Sequence, residues 1–340
     1  MSIEELPPRV TLADVADEAG VSLSTISKVL NGRRDVASAT RARVENLLEQ
    51  NGYRRRGNER RESSLLEVVF HELDSAWSME IIKGLENVAR ENDMSVVLTE
   101  SGNRHAPGPE WISGVLRRRP VGVVLVFSDL APEHKQQLSS RDIPFVIIDP
   151  AGDPSPGVPS VGSANWAGGL AATRHLIELG HKRIAMITGP EDMMCSLARL
   201  DGSRSAMNTA GLTVDPALIR FGDFHVDGGR LAAIDLLALP DRPTAIFAGS
   251  DLQALGVLEA ARAAGIRVPE QLSIVGYDDV PLAQWSSPSL TTVHQPLQKM
   301  AEEAARLILR LRDGADASGS RMDLATHLVV RDSTAPLVVE

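Results

Sequence analysis

A small all-α unit followed by an α/β body of two Rossmann-like lobes is the fold class this sequence predicts. Three observations predict it. Residues 10–53 carry three short helical patterns, the first two meeting at a single glycine. From residue 65 onward, apolar strand segments alternate with helical patterns at a period of about 30 residues, the spacing of parallel βαβ units. Between the two parts lies RRRGNERRESS (54–64), a charged stretch without an apolar residue.

In the first part, Thr11 is placed to cap a helix, with Asp14 three residues on to complete the reciprocal cap. Val15, Ala16 and Ala19 fall at helical spacing, and Gly20 suits the left-handed turn that ends a helix. Ser22 caps the next helix, whose buried stripe is Ile26, Val29 and Leu30. Leu23, Ser24 and Lys28 are left on the opposite face. A third helix over 38–50 turns Val44, Leu47 and Leu48 inward. Three small helices, a tight glycine turn and a polar second helix describe a helix-turn-helix reader of double-stranded DNA. The domain plan is a headpiece over 1–53, a linker over 54–64 and a body over 65–340. In the body, one lobe takes 65–162 and 294–325, the other 163–292 and 326–340.

The charge distribution agrees with this division. The chain has 340 residues, is 43% hydrophobic and carries a formal net charge of −10. Residues 1–63 hold 11 Lys/Arg and 10 Asp/Glu, a balance of +1, whereas 64–340 hold 24 and 35, a balance of −11. Within 21–61 the count is 10 basic to 4 acidic, or +6, which suits a phosphate backbone. Arg33, Arg34, Arg41, Arg54, Arg55 and Arg56 are more cations than one headpiece needs for reading bases, so most are expected on phosphates; Asn31 and Tyr53 are expected among the DNA-contacting residues. The acidic body repels DNA.

The body's strands are expected at LLEVVF (65–70), SVVLT (95–99), VGVVLVF (121–127) and PFVIID (144–149). A second series is RIAMIT (183–188), LIRFG (218–222), TAIFAG (244–249) and LSIVGY (272–277). Ligands of such sheets sit beyond the carboxyl ends of the strands. The segments there are HELDSAW (71–77), Asp149, GPEDMMCSLARLDG (189–202), GDF (222–224), GSD (249–251) and GYDD (276–279). They bring Trp77, Phe224, Asp149, Arg199, Ser250, Asp251 and Asp278 to one place, with Trp166 and Trp285 near such loops. A sugar offers an apolar CH face and a ring of hydroxyls. Flat aromatic faces beside fixed carboxylates and a guanidinium match both.

The headpiece resembles that of the lactose-repressor (LacI) family, in VTLADVADEAGVS, TISKVLNG and TRARVENLLEQNGY. The likeness continues over 65–335, in HLIELGHKRIAMITGP, RLDGSRSAM, IFAGSDLQALGVLEAARAAGIRVPEQLSIVGYDD and PSLTTVHQP, which are similar to that family's periplasmic-binding-protein-like core. The resemblance implies DNA contacts from Thr11, Ser22, Leu23, Ser24, Thr25 and Lys28. It also implies effector contacts at Asp149, Arg199, Phe224, Asp278 and Gln295, at Ser250 where the family often has Asn, and at Trp77 and Trp166 where it often has aromatics. It implies a homodimer on a pseudo-palindromic operator, repressing a carbohydrate-utilisation operon under the control of a small sugar. A nucleobase-like effector on the same fold, or a stand-alone sugar-binding protein, are the alternatives. Two positions depart from the family pattern. Glu62 stands where a hinge leucine usually wedges into the minor groove, so Leu65 or Leu66 takes that part or the operator is bent differently. Lys28 stands where Arg is common, and Lys lacks the guanidinium fork.

Enzymatic classes find little support. There is no G-x-G turn, no Gly-Lys pair for a phosphate loop, and no metal-ligand spacing among the 8 His; neither cofactor nor metal is expected. Cys195 is the single cysteine, so no intrachain disulfide forms. MSIEELPPRV lacks a basic start and an apolar run, and no apolar stretch reaches membrane-spanning length. A cytoplasmic protein that does not contact the membrane is expected.

Overall fold

Gly20, at φ 64°, lets the chain turn between Leu12–Ala19 (α1) and Leu23–Leu30 (α2). The third helix is Ser38–Gln50 (α3). Val15, Ala16, Ala19, Ile26, Val29, Val44 and Leu48 close one apolar core, with Leu47 packed at its margin. Full burial of side chains of this size contributes about 1.5–3 kcal/mol each, which lets so short a segment hold together. The computed structural model describes residues 12–30, 36–50, 64–73, 75–102, 107–126, 130–150, 157–316 and 319–338. Thr11, Asn31, Arg33, Arg34, Tyr53, Arg54, Arg55 and Arg56, and the linker residue Glu62, lie outside them, as does the side chain of Leu30. Residues 1–62 and 63–340 form separate compact units.

The body begins with Leu65–Phe70 (β1), Ala76–Glu91 (α4), Ser95–Glu100 (β2), Pro109–Arg118 (α5), Gly122–Val126 (β3), Pro132–Ser139 (α6), Phe145–Ile148 (β4) and Ser160–Ser163 (β5). It continues with Asn165–Glu178 (α7), Ile184–Thr188 (β6), Met194–Thr209 (α8), Ile219–Phe221 (β7), Val226–Leu237 (α9), Ala245–Ala248 (β8), Asp251–Ala263 (α10), Ser273–Asp278 (β9), Pro281–Trp285 (α11) and Thr291–His294 (β10). Leu297–Arg312 (α12), Arg321–Leu324 (β11) and His327–Val329 (β12) complete it. Every strand expected from apolar runs is present. Four further strands, β5, β10, β11 and β12, extend the sheets. They are short and partly polar, and pairing with a neighbour rather than their own pattern makes them strands.

Two six-stranded sheets result, ordered β11-β5-β4-β3-β1-β2 and β12-β10-β9-β8-β6-β7. All pairings are parallel except β10 with β12. The chain passes between the sheets at 163–165, 294–297 and 324–327. On its second segment the first lobe receives α12, whose Leu297, Met300, Ala301, Ala304, Ala305, Leu307 and Ile308 join Leu66, Val68 and Phe70 in one core. This corrects the hinge expectation for Leu66. It is fully buried in β1, and Leu65 pairs in register with Ser95, so both are committed to the sheet.

Candidate functional site

In the headpiece, the face of α2 opposite Ile26 and Val29 is open. Leu23 is 55% exposed, and Ser24 and Lys28 are exposed too. The Ser22 hydroxyl accepts from the Thr25 backbone N–H at 3.2 Å and lies 2.7 Å from Ser24 Oγ and 2.9 Å from Thr25 Oγ1. Three hydroxyls thus gather at the positive end of a helix, a chemistry suited to a phosphate.

In the body, a cleft of about 640 Å³ opens between the lobes at the carboxyl ends of the strands. The first lobe lines it with Phe70, His71, Glu72, Trp77 and Asp149. The second lobe contributes Met193, Cys195, Arg199, Asp223, Phe224, His225, Ser250 and Asp278. The backbone at three of these positions is held in the left-handed region: Asp149 at φ 48°, Phe224 at 70° and Asp278 at 114°. Such conformations are costly for L-residues, especially Phe, and persist where the surroundings enforce them.

Arg199 is the centre of the site. It is 3% exposed, and its Nη1 donates to Gly249 O at 2.5 Å while Nε donates to Asn165 Oδ1 at 2.8 Å. Its guanidinium stacks 3.8 Å from the Tyr277 ring centre, with Phe224 at 5.5 Å. Asn165 Nδ2 in turn donates to Asp149 Oδ1 at 3.1 Å. No N–H or O–H group among the described residues reaches the other Asp149 oxygen, which is buried; the adjacent Cys195 thiol is only a weak donor. Burial raises the Asp149 carboxyl above its ordinary range, with Arg199 pulling the other way. Burial likewise holds Asp278 up at about 7, opposed by Arg199 and by the hydrogen bond from Gln295. The Cys195 thiol is pushed up to about 12 by burial and by Asp149. At the mouth, Glu72 Oε2 of the first lobe lies 3.6 Å from His225 Nε2 of the second and 3.9 Å from His71 Nε2.

The structure therefore brings together Trp77, Asp149, Arg199, Phe224, Ser250 and Asp278. It places the remaining candidates elsewhere. Asp251 is fully buried behind the cleft, accepting from Thr292 Oγ1 at 2.5 Å and from the Val280 N–H at 2.9 Å, so both oxygens are engaged within the protein. Gln295 is buried as well and reaches the cleft only through Asp278, to which its Nε2 donates at 2.7 Å. Trp166 lines a separate pocket with Pro150, Met194 and Arg321. Trp285 is 74% exposed on α11 and lines none of these cavities, because α11 carries it out to the surface of the second lobe. Asn165, Glu72 and His225 were not anticipated. Asn165 begins a helix and is signalled only by a polar residue opening an apolar pattern, whereas Glu72 and His225 sit in or beside the expected strand-end segments. Among the described residues, no cluster of three or more His, Cys, Asp or Glu side chains is arranged to hold a metal ion, and no helix is long and apolar enough to cross a membrane.

Residues 11–56 match the family described as bacterial regulatory proteins, lacI family, and residues 173–334 match the periplasmic binding protein-like domain. The HTH-type transcriptional repressor CytR of Escherichia coli K12 is 34% identical over 342 aligned residues, covering 99% of this chain and 100% of CytR. The chain belongs to the LacI family. As in other LacI-family regulators, the headpiece binds DNA and the two-lobed core follows it. A solved structure of the transcriptional regulator CelR in complex with cellobiose has a TM-score of 0.72 at 35% identity, covering 96% of this chain and all of that one. The lac repressor dimer bound to operator and the anti-inducer ONPF has a TM-score of 0.70 at 26% identity, again covering 96% and 100%.

Proposed function

We propose that this repressor controls a carbohydrate-utilisation operon from the cytoplasm, as a homodimer on a pseudo-palindromic operator, and that a small saccharide in the interlobe cleft sets its DNA affinity. The observation that carries the reading is the make-up of the cleft. Trp77 from one lobe and Phe224 from the other offer flat apolar faces. Asp149, Arg199, Ser250 and Asp278 offer acceptors and donors to a ring of hydroxyls. The buried Asp149 oxygen without an N–H or O–H partner is suited to a ligand hydroxyl. CelR, with cellobiose bound, supports a saccharide of this size class. The Cys195 thiol, pushed up to about 12, supplies no thiolate at neutral pH.

A thermal-shift panel of mono- and disaccharides, cellobiose included, with nucleosides as the contrast set, tests the effector class. A matching saccharide at about 100 times its Kd stabilises the body by about 2.7 kcal/mol, and the same saccharide changes operator affinity. A response to nucleosides alone overturns the carbohydrate reading. For the headpiece, Lys28→Ala relaxes preference at one operator position by about 1–3 kcal/mol, whereas Arg55→Ala weakens all sequences alike. Equal losses at every site would make Lys28 a backbone contact.

A further inference from the structure

The polar groups beneath the cleft form a closed circuit. Asp149 Oδ1 accepts from Asn165 Nδ2 at 3.1 Å, and Asn165 Oδ1 accepts from Arg199 Nε at 2.8 Å. Arg199 Nη1 lies 3.9 Å from Asp278 Oδ1, which accepts from Gln295 Nε2 at 2.7 Å. Gln295 Oε1 accepts from Ser163 Oγ at 2.6 Å, and the Ser163 carbonyl accepts from Asn165 Nδ2 at 3.3 Å. All of these side chains are buried. Ser163 and Asn165 bracket the first passage of the chain between the lobes, and Gln295 lies in the second. On the third, Thr326 Oγ1 donates to Ala164 O at 3.3 Å. The groups offered to a ligand are thus hydrogen-bonded directly to the segments about which the lobes must move.

Among the described residues, Asn165 is hydrogen-bonded at once to Asp149 of the first lobe and Arg199 of the second. Its amide donates to a carboxylate on one side and accepts from a guanidinium on the other without a net charge. A carboxylate at this position keeps Arg199 and opposes Asp149, and an aliphatic side chain leaves both without this partner. We propose that Asn165 is a positioning residue for the effector site, fixing Asp149 of the first lobe against Arg199 of the second and tying both to the crossover segments. The inference rests on the cleft being the effector site.

Asn165→Ala and Asn165→Asp, made in the full-length chain, test it. Binding of cellobiose is measured by calorimetry; if the panel above identifies a stronger saccharide, that one is the probe. Asn165→Ala lowers affinity about 10-fold or more at every pH. Asn165→Asp sets two carboxylates about 3 Å apart, which share a proton at low pH and repel when both ionise. Its affinity relative to the parent therefore recovers as the pH is lowered from about 8 to about 5.5. A purely structural defect lowers both variants by a pH-independent ratio, and that result overturns the proposal, as does parental affinity in both. Should Asn165→Asp fail to fold, Asn165→Ser, which keeps a donor and an acceptor, must bind better than Asn165→Ala; equal binding overturns the proposal. If no saccharide binds the parent, the carbohydrate reading has failed and this inference falls with it. If the parent binds and the variants match it, the inference alone fails.

Discussion

The two lobes share a topology but differ in how their helices meet. In the first lobe, large aliphatic side chains fill the space between β1, α4 and α12, with Leu66, Val68, Phe70, Ile81, Leu85 and Ile308 at its centre. A methyl group at Gly84 would meet the Gln298 carbonyl, whereas one at Gly122 would meet the Ile308 side chain. The second lobe brings backbone against backbone repeatedly. A methyl at Gly169 would strike the Arg199 carbonyl, one at Gly202 the Trp166 carbonyl, and one at Gly256 the Val226 carbonyl. In these helix pairs the interaxial distance is set by main chain and not by a deformable side chain. The ligand groups differ accordingly. Arg199 rides on α8, one of the closely seated helices, whereas Asp149 follows β4 on a loop and Trp77 lies in the first turn of α4. The contrast predicts that the second lobe is the fixed half of the proposed site and the first the half that adjusts to the ligand.

The most disruptive way to break that contrast is to fill the glycine contacts. Gly169→Ala and Gly84→Ala should each destabilise the chain by about 1–3 kcal/mol, read from denaturant midpoints. Only Gly169→Ala, which displaces the backbone of Arg199, should also lower saccharide affinity by about 10-fold. Equal affinity losses would show that neither lobe is the fixed half.

Next in size is Asp278→Asn, which keeps the shape and removes the charged acceptor, at a cost of about 1.5–3 kcal/mol in saccharide binding with operator binding retained. It also has a pH signature. Burial holds the Asp278 carboxyl at about 7. A ligand hydroxyl donating to its carboxylate favours the ionised form, so affinity in the parent should rise as the pH climbs through that value. Asp278→Asn should flatten the rise. In the absence of ligand the sign is opposite. A carboxyl whose folded value lies above its unfolded one stabilises the fold at low pH, and this contribution is lost as the pH rises through 7. Parental melting temperatures should therefore decline over that range more than those of Asp278→Asn.

The smallest effects expected are those of the aromatic walls. Trp77→Ala and Phe224→Ala should each cost about 0.5–1.5 kcal/mol of saccharide affinity. If the first lobe is the adjustable half, Trp77→Ala should be the milder change, and it should abolish most of the tryptophan fluorescence response to ligand. A response that survives intact would assign the signal to Trp111, Trp166 or Trp285.

Much of this was legible from residue pattern. The apolar runs marked β1 to β4 in one sheet and β6 to β9 in the other, because strands covered by helices on both faces need little alternation. The two strands at the remaining end of each sheet, β5 with β11 and β10 with β12, were not legible. SVGS at 160–163 and RMDL at 321–324 pair with each other across a long stretch of chain, and neither has a hydrophobic run of its own. In the site, residues that end a strand were placed well, since topology fixes where such ends lie. Residue type was the weaker guide. Trp285 follows a strand end closely in sequence, yet five residues of helix turn it away. Asp251 carries the same chemistry as Asp149, but Thr292 and the Val280 N–H consume it. Asn165 matters through its two partners, and no pattern within one segment announces them.

The position of α12 has a consequence for biosynthesis. As the polypeptide leaves the ribosome, the headpiece emerges first, with a core composed wholly of its own residues. The second lobe has nearly all of its sheet once residue 294 has been made, and lacks only the edge strand β12. The first lobe, though begun earlier, must wait: Leu66, Val68 and Phe70 remain without Met300, Ala304 and Ile308 until almost the whole message has been read. Domains fold as units during synthesis, so here the order of maturation is not the order of translation. A chain interrupted before residue 297 would carry the headpiece's own core ahead of a body whose first lobe still shows the sheet face that α12 covers.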